Sequence, residues 1–274
     1  MKSFLHFFRR LPAPGRQRTF SPAFRPVFLS GLLLLSCEMP PQEAAGLEIP
    51  APRTGEKIVE YKGYVCSYNT ETLIPDWVAY ELTAEETFGR STRDDKSFGM
   101  DLSFRGRQAR REDYTRSGWT KGHMAPAADF MWDDDAMAET FYLLNICPQR
   151  EELNNKDWQY LEKQVRRWAE EYDKVWVVSG PIIGENRYGT IGDDHVVVPD
   201  AFFKAVLTHD GVRYHAIAFV MGNDAERYYL ADCALSIDEL EALTGLDFFP
   251  ALSDDVEDRV EAGYTLSPWS IRAR

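Results

Sequence analysis

The chain has 274 residues, 44% hydrophobic and 13% aromatic, with a formal net charge of −13. That composition describes a globular protein with a real core and argues against disorder or a repeat array. The acidic balance argues against a simple nucleic-acid-binding module, which would carry a basic face, and four cysteines without a CxxC pair argue against a disulfide scaffold or a zinc or iron–sulfur site.

The chain opens on a basic leader. Lys2, Arg9, Arg10, Arg16, Arg18 and Arg25 precede any acid, and the apolar run from Val27 to Ser36 has signal-peptide length, too short to cross a bilayer. It ends Leu34-Leu35-Ser36-Cys37, a small residue directly before a cysteine, which resembles the lipobox of bacterial lipoproteins. Residues 1–37 are read as an export signal with Cys37 as the acylated first residue of the mature chain. The alternative is an ordinary secretory signal in which Cys37 is incidental. The expected location is a membrane-anchored lipoprotein at the cell envelope or surface, otherwise the periplasm or the medium. The leader holds six basic residues and no acid, so the remainder stands at −19. Residues 38–56, rich in Pro, Ala and Glu, read as a flexible tether, and residues 57–274 as one domain. With Cys37 acylated, Cys66, Cys147 and Cys233 remain, an odd number that leaves at least one unpaired.

Strands are expected at Trp77–Leu82, Phe141–Cys147, Val175–Ser179, Val196–Val198, Phe202–Leu207 and Tyr214–Met221, runs rich in β-branched and aromatic residues. Thr208-His209-Asp210-Gly211 is a hairpin turn between the last two. A helix is expected from about Asn154 to Tyr172, because Trp158, Leu161, Val165, Trp168 and Tyr172 recur at spacings of 3, 4, 3 and 4. Ser236-Ile237-Asp238-Glu239 is a capping box for a short helix that Gly245 ends. Helices do not alternate regularly with strands, so the fold class is α+β with an antiparallel sheet.

Several polar residues stand out against this background. At 100° per residue Asn154 falls on the apolar stripe of its helix, where it either caps the helix or meets something inside. Glu162 and Arg166 form an i,i+4 pair beside the stripe. Arg105, Arg107, Arg110, Arg111, Arg116 and Lys121 form a local basic stretch able to meet phosphate, or else a solvated loop. His195 and His215 read as packed or surface residues in strands and His209 as a turn residue. Trp77, Trp119, Trp158 and Trp168 read as core.

The segment Ser117-Gly118-Trp119-Thr120-Lys121-Gly122-His123-Met124-Ala125-Pro126-Ala127-Ala128-Asp129-Phe130 resembles the signature of the DNA/RNA non-specific endonucleases, the ββα-metal nucleases that include endonuclease G. Asn145-Ile146-Cys147-Pro148-Gln149 is similar to the family's Asn-x-x-Pro-Gln segment. Leu153-Asn154, Trp158 and Leu161-Glu162 are similar to its metal-binding helix, and Val178-Ser179-Gly180-Pro181, His195–Pro199 and Phe202-Phe203-Lys204 to its later strands. The resemblance runs from about Tyr61 to Pro250. It implies the ββα-metal nuclease fold, a central antiparallel sheet flanked by helices. It also implies a sugar-non-specific endonuclease that hydrolyses DNA and RNA and leaves 5′-phosphate ends.

By that resemblance His123 is the general base and Asn154 the protein ligand of a water-rich Mg²⁺, with Mn²⁺ as the other candidate cation. A histidine can be a neutral base near pH 7, and one neutral oxygen plus waters suits an ion that dehydrates reluctantly. Arg93 aligns with the phosphate-binding arginine, with Arg90 as its rival. Lys121, Glu162 and Arg166 take the remaining catalytic and phosphate-contacting positions, and Asn145 a positioning one. Thr120-Lys121 departs from the usual Asp-Arg and puts phosphate grip and local hydrogen bonding in question. The expected partners are DNA and RNA, the membrane through Cys37, and, left open, a homodimer mate and an inhibitor protein. The alternative function is a catalytically weak relative that binds nucleic acid without cutting it.

Overall fold

The computed structural model describes residues 46–272. The expected signal, Cys37 and the start of the expected tether lie outside them. Of the tether, residues 46–51 pack, with Leu47 buried and the Ala51 amide donating to the Asp247 carbonyl, while residues 52–55 are exposed.

The strands in chain order are β1 (Ile58–Glu60), β2 (Val65–Asn69), β3 (Ile74–Thr83), β4 (Thr120–His123), β5 (Ile146–Gln149), β6 (Lys174–Ile182), β7 (Thr190–Ile191), β8 (Val196–Val197), β9 (Ala201–His209), β10 (Tyr214–Gly222) and β11 (Ala234–Leu235). Seven of them form one sheet in the order β1-β2-β3-β6-β9-β10-β11, antiparallel at every step. β4 and β5 form a separate hairpin-like pair, as do β7 and β8. Helices α1 (Asp134–Glu139), α2 (Gln159–Tyr172), α3 (Leu230–Cys233), α4 (Ile237–Thr244) and α5 (Asp254–Glu261) surround them. The class is α+β, as expected, and β4, β5 and α2 make a ββα unit.

Side chains alternate across β9 and divide the core in two. Phe202 faces Trp158 at the start of α2, with ring centroids 5.7 Å apart, while Phe203 faces Phe248 on the other side, also at 5.7 Å. The α2 stripe supplies the first core: Leu161, Val165 and Trp168 are fully buried, and Trp168 stacks on Phe219 of β10. Its indole N–H finds the Trp269 carbonyl at 2.9 Å, so the polar atom of this buried ring is satisfied. α4 and α5 cover the second core. The Ser236/Glu239 capping box and left-handed Gly245 bound α4 where the sequence placed them.

Three local expectations change. Phe141–Cys147 is not one strand. Leu143–Asn145 form a 3-10 turn and pairing starts only at Ile146, because the Asn145 side chain binds backbone at Ala125 and Thr140. His195 sits in the left-handed region (φ 61°), exposed and just ahead of β8 rather than within a strand. The third change concerns the helix. Leu153–Trp158 wind as a π-helix before α2, so the straight 100° projection does not hold for Asn154.

Candidate active site

His123 ends β4 and is 9% exposed. Its ring lies between Phe98 and Phe141, each with a centroid 5.2 Å away, and its Nε2 has no protein partner among the described residues. Burial, with the nearby Arg93 charge second, lowers its pKa to about 3, so the imidazole is neutral through the physiological range. Gly122 permits the close pairing beneath it: a Cβ there would come within 2.1 Å of the Gln149 side-chain oxygen on β5.

The backbone that follows His123 is held from two sides. Asn145, fully buried, accepts from the Ala125 amide and donates to the Ala125 and Thr140 carbonyls, each at 2.8 Å. It is a positioning group with its hydrogen bonds spent on backbone. On the sheet side, Lys204 Nζ donates to Ser179 Oγ at 2.8 Å, and Ser179 Oγ donates to the Met124 carbonyl at 2.9 Å. Ser179 and Lys204 are cross-strand partners on β6 and β9, so the sheet register itself aims this relay at the residue after His123.

Asn154 lies inside the helical segment, its amide donating to the Arg150 carbonyl, and it does not cap it. Its Nδ2 donates to Thr120 Oγ1 at 3.0 Å across the gap to β4, and Thr120 Oγ1 in turn donates to the Gln149 carbonyl at 2.8 Å. The amide is thereby oriented with its nitrogen toward β4, which leaves the carbonyl oxygen as the donor atom for a cation. Threonine in place of the family's aspartate performs this orientation with a neutral hydroxyl.

Arg166 does not pair with Glu162. Its guanidinium binds Asp129, which is fully buried and also accepts from Tyr80 at 2.8 Å. An i,i+4 pair on a helix forms only when nothing stronger competes, and a buried carboxylate awaiting a partner is stronger. Glu162 therefore stands among Lys204, Arg166 and Arg93 without a direct ion pair. Burial drives its carboxyl up and the Lys204 ammonium down, each opposing the other's shift. Arg93, and not Arg90, bears on both His123 and Glu162.

Three cations surround this centre seated on aromatic rings. Arg93 lies 5.6 Å from the Phe141 centroid, Lys121 lies 5.6 Å from Phe98 and 5.1 Å from Tyr114, and Arg150 lies 4.3 Å from Trp119 and 5.9 Å from Tyr188. None forms an ion pair among the described residues, whereas Arg110 of the basic stretch is paired with Asp194. Trp119 is thus not simply core. It is half-buried and supports Arg150, whose backbone amide is fixed by Asn223 Oδ1 at 2.8 Å. Trp77, Trp158 and Trp168 are core.

Sequence reading missed Arg150, Asp129, Ser179 and Lys204 as site residues. Lys204 had a visible signal, a charge inside the apolar strand Phe202–Leu207. Asp129 lay unassigned within the motif. Arg150 carried no signal, because its partners Trp119 and Tyr188 are distant in sequence.

The donor set suits a hard cation. Asn154 would offer a neutral oxygen, which fits an ion keeping most of its waters and gives zinc neither thiolate nor a closed imidazole set. His123 Nε2 and both polar side-chain atoms of Gln149 are buried without partners among the described residues, so this region carries polar capacity that those residues do not consume.

Residues 44–255 match the DNA/RNA non-specific endonuclease family. Similar proteins include the mitochondrial nuclease EXOG of Danio rerio, 38% identical over 73% of this chain and 63% of that protein. Endonuclease G, mitochondrial, of Homo sapiens is 34% identical over 69% and 68%, and nuclease C1 of Cunninghamella echinulata is 31% identical over 77% and 90%. The chain spans 59–63% of the length of four EXOG relatives. Among solved structures, the crystal structure of the EndoG/EndoGI complex contains a similar chain, with TM-score 0.69 and 29% identity over 73% of this chain and 88% of that one.

Arg93→Ala should raise the His123 pKa. Removing a nearby positive charge stabilises the imidazolium, so the base becomes protonated at higher pH and the acid limb of any His123-dependent rate moves upward. An NMR titration of the imidazole reads this directly; an unmoved pKa would separate Arg93 from the site.

Proposed function

Because the chain belongs to the DNA/RNA non-specific endonuclease family, we propose that it is a divalent-metal-dependent endonuclease that hydrolyses the phosphodiester bonds of DNA and RNA. The observation that carries this reading is a neutral, buried His123 at the end of the strand that Asn154 binds through Thr120, amid cations left free of carboxylates. Arg93, Lys121 and Arg150 hold the phosphate backbone, the part that DNA and RNA share. Asn154 would hold Mg²⁺ through its carbonyl oxygen, with Mn²⁺ as the alternative ion and Glu162 behind it. The bound cation supplies charge uptake on the scissile phosphate and the leaving 3′-oxygen. His123 takes the proton of the attacking water at a ring nitrogen, which its depressed pKa keeps free to accept. The Arg166–Asp129 pair, with Tyr80 of β3 donating to Asp129, ties the helix to the sheet, so the contribution of Arg166 is to order the site as well as to charge it. Cleavage leaves 5′-phosphate ends.

The basic leader and Leu34-Leu35-Ser36-Cys37 support export and an acyl anchor. Three acyl chains, as a diacylglyceryl group and an amide-linked chain provide, hold a protein to a membrane where one would be marginal. Cys37→Ser should release the expressed protein from the membrane fraction or block its processing. Wild-type protein with a mature N-terminus elsewhere would leave a plain signal or, as the mitochondrial relatives suggest, an organellar presequence. The likeness to EndoG bound to its inhibitor EndoGI supports an inhibitor protein as a further partner.

Plasmid cleavage with and without a chelator tests the activity. His123→Ala should lower turnover by roughly 10²–10⁴ or more while the protein stays folded. Asn154→Ala should shift the Mg²⁺ concentration needed for activity. Chelator-insensitive cutting by wild type, or full cutting by His123→Ala, would remove this mechanism. Retained binding without any cutting by wild type would leave the binding-module alternative.

A further inference from the structure

On the sheet face opposite α2, α4 and α5 bring three carboxylates together. Asp238 and Glu241 lie one turn apart on α4 and Glu261 ends α5; an oxygen of each lies within 4.8 Å of the other two. Asp238 is exposed and Glu241 half-buried, and Asp247 and Glu257 add to the negative field around them. Acidic residues gathered at the surface of an acidic protein would by themselves mean little.

Glu261 adds an independent fact. It is 5% exposed, and its Oε1 has no hydrogen-bond partner among the described residues. The charged groups that bear most on it are all carboxylates: Glu241, Glu257, Asp238 and Asp247. A buried carboxylate oxygen, unbonded and ringed by like charge, is among the costliest arrangements in a protein unless something neutralises it. A proton on Glu261 would quiet one member and leave its neighbours facing one another. A divalent cation satisfies all three at once.

We propose that Asp238, Glu241 and Glu261 form a structural Ca²⁺ site separate from the catalytic centre. The donors are oxygens only, with no thiol or imidazole to draw a transition metal. Ca²⁺ takes 6–8 oxygens at about 2.3–2.6 Å, so its opposed ligands stand about 4.6–5.2 Å apart, a span that accommodates this group; Mg²⁺ demands a tighter octahedron and prefers water to several carboxylates. Glu241 has one oxygen engaged by the Phe248 amide at 2.9 Å, which orients the other toward the ion. The ion would fasten α5 to α4 and so clamp Val260, Phe248 and Phe249 over the outer face of the sheet. Asp238 and Glu241 lie inside the family match and Glu261 beyond its end at residue 255, so the site would join the matched domain to the C-terminal helix of this chain.

The test is Ca²⁺ titration of the metal-stripped full chain by calorimetry, with thermal unfolding in parallel. Wild type and Asn154→Ala should both bind one Ca²⁺ at this site and rise in Tm. Glu261→Gln and the double variant Asp238→Asn/Glu241→Gln should bind Ca²⁺ about tenfold or more weakly and lose the Tm rise. The double variant alters an exposed and a half-buried residue, so it decides the matter if Glu261→Gln does not fold. Ca²⁺ binding that vanishes in Asn154→Ala, or that persists unchanged in the double variant, overturns the proposal, as does absence of Ca²⁺ binding by wild type. In that last case Glu261 is carried as a neutral acid.

Discussion

The backbone just after His123 must stay still, and the imidazole does little to hold it. His123 sits between two phenylalanine rings that shape its position but do not fix the main chain. The fixing comes from hydrogen bonds to the next two residues. Asn145 brackets Ala125, and the Lys204–Ser179 pair reaches the Met124 carbonyl from the sheet. Much of the remaining architecture follows from that constraint. A fully buried lysine needs compensating carboxylates, and Glu162 and Asp129 supply them from α2 and from the motif loop. Arg166 and Tyr80 then complete Asp129. The charged network that locks α2 to the sheet is thus the same one that steadies the residue after His123.

Keeping cations free poses a second problem, because the chain is strongly acidic and every cation risks capture by a neighbouring carboxylate. Arg93, Lys121 and Arg150 avoid this by resting on aromatic faces. A ring quadrupole attracts a cation and restrains its side chain without cancelling its charge as a carboxylate would. Such residues keep their hydrogen-bond donors available for an anion. The carboxylates gathered on α4 and α5 lie on the sheet face opposite α2.

The replacement of the usual Asp-Arg by Thr120-Lys121 is accommodated by the same two devices. Thr120 retains an acceptor for the Asn154 amide while its own proton goes to the Gln149 carbonyl. Lys121 loses the planar fork of arginine but remains an unpaired charge held over Phe98 and Tyr114. The π-helical turn at Leu153–Trp158 completes the arrangement. Its wider winding lets Asn154 reach β4 while Trp158 and the α2 stripe stay in the core, a use of a π segment common at functional sites.

The sequence by itself determined the α+β class, the long sheet strands, the α2 stripe and the α4 cap, and its resemblance to a family named His123 and Asn154 as candidates. Those features rest on periodicity, capping chemistry and a contiguous motif, all local along the chain. Only the tertiary structure decided that Arg166 binds Asp129 instead of Glu162, that Phe141–Cys147 breaks into a 3-10 turn, and that Arg150 lies on Trp119. It alone showed Asn154 turned toward Thr120 by a π segment, and Glu261 buried against acids some twenty residues away. Each of these is a choice between competing partners. A local pattern can name the candidates, but the winner is set by which buried polar group would otherwise go unsatisfied, and burial exists only once the chain has folded.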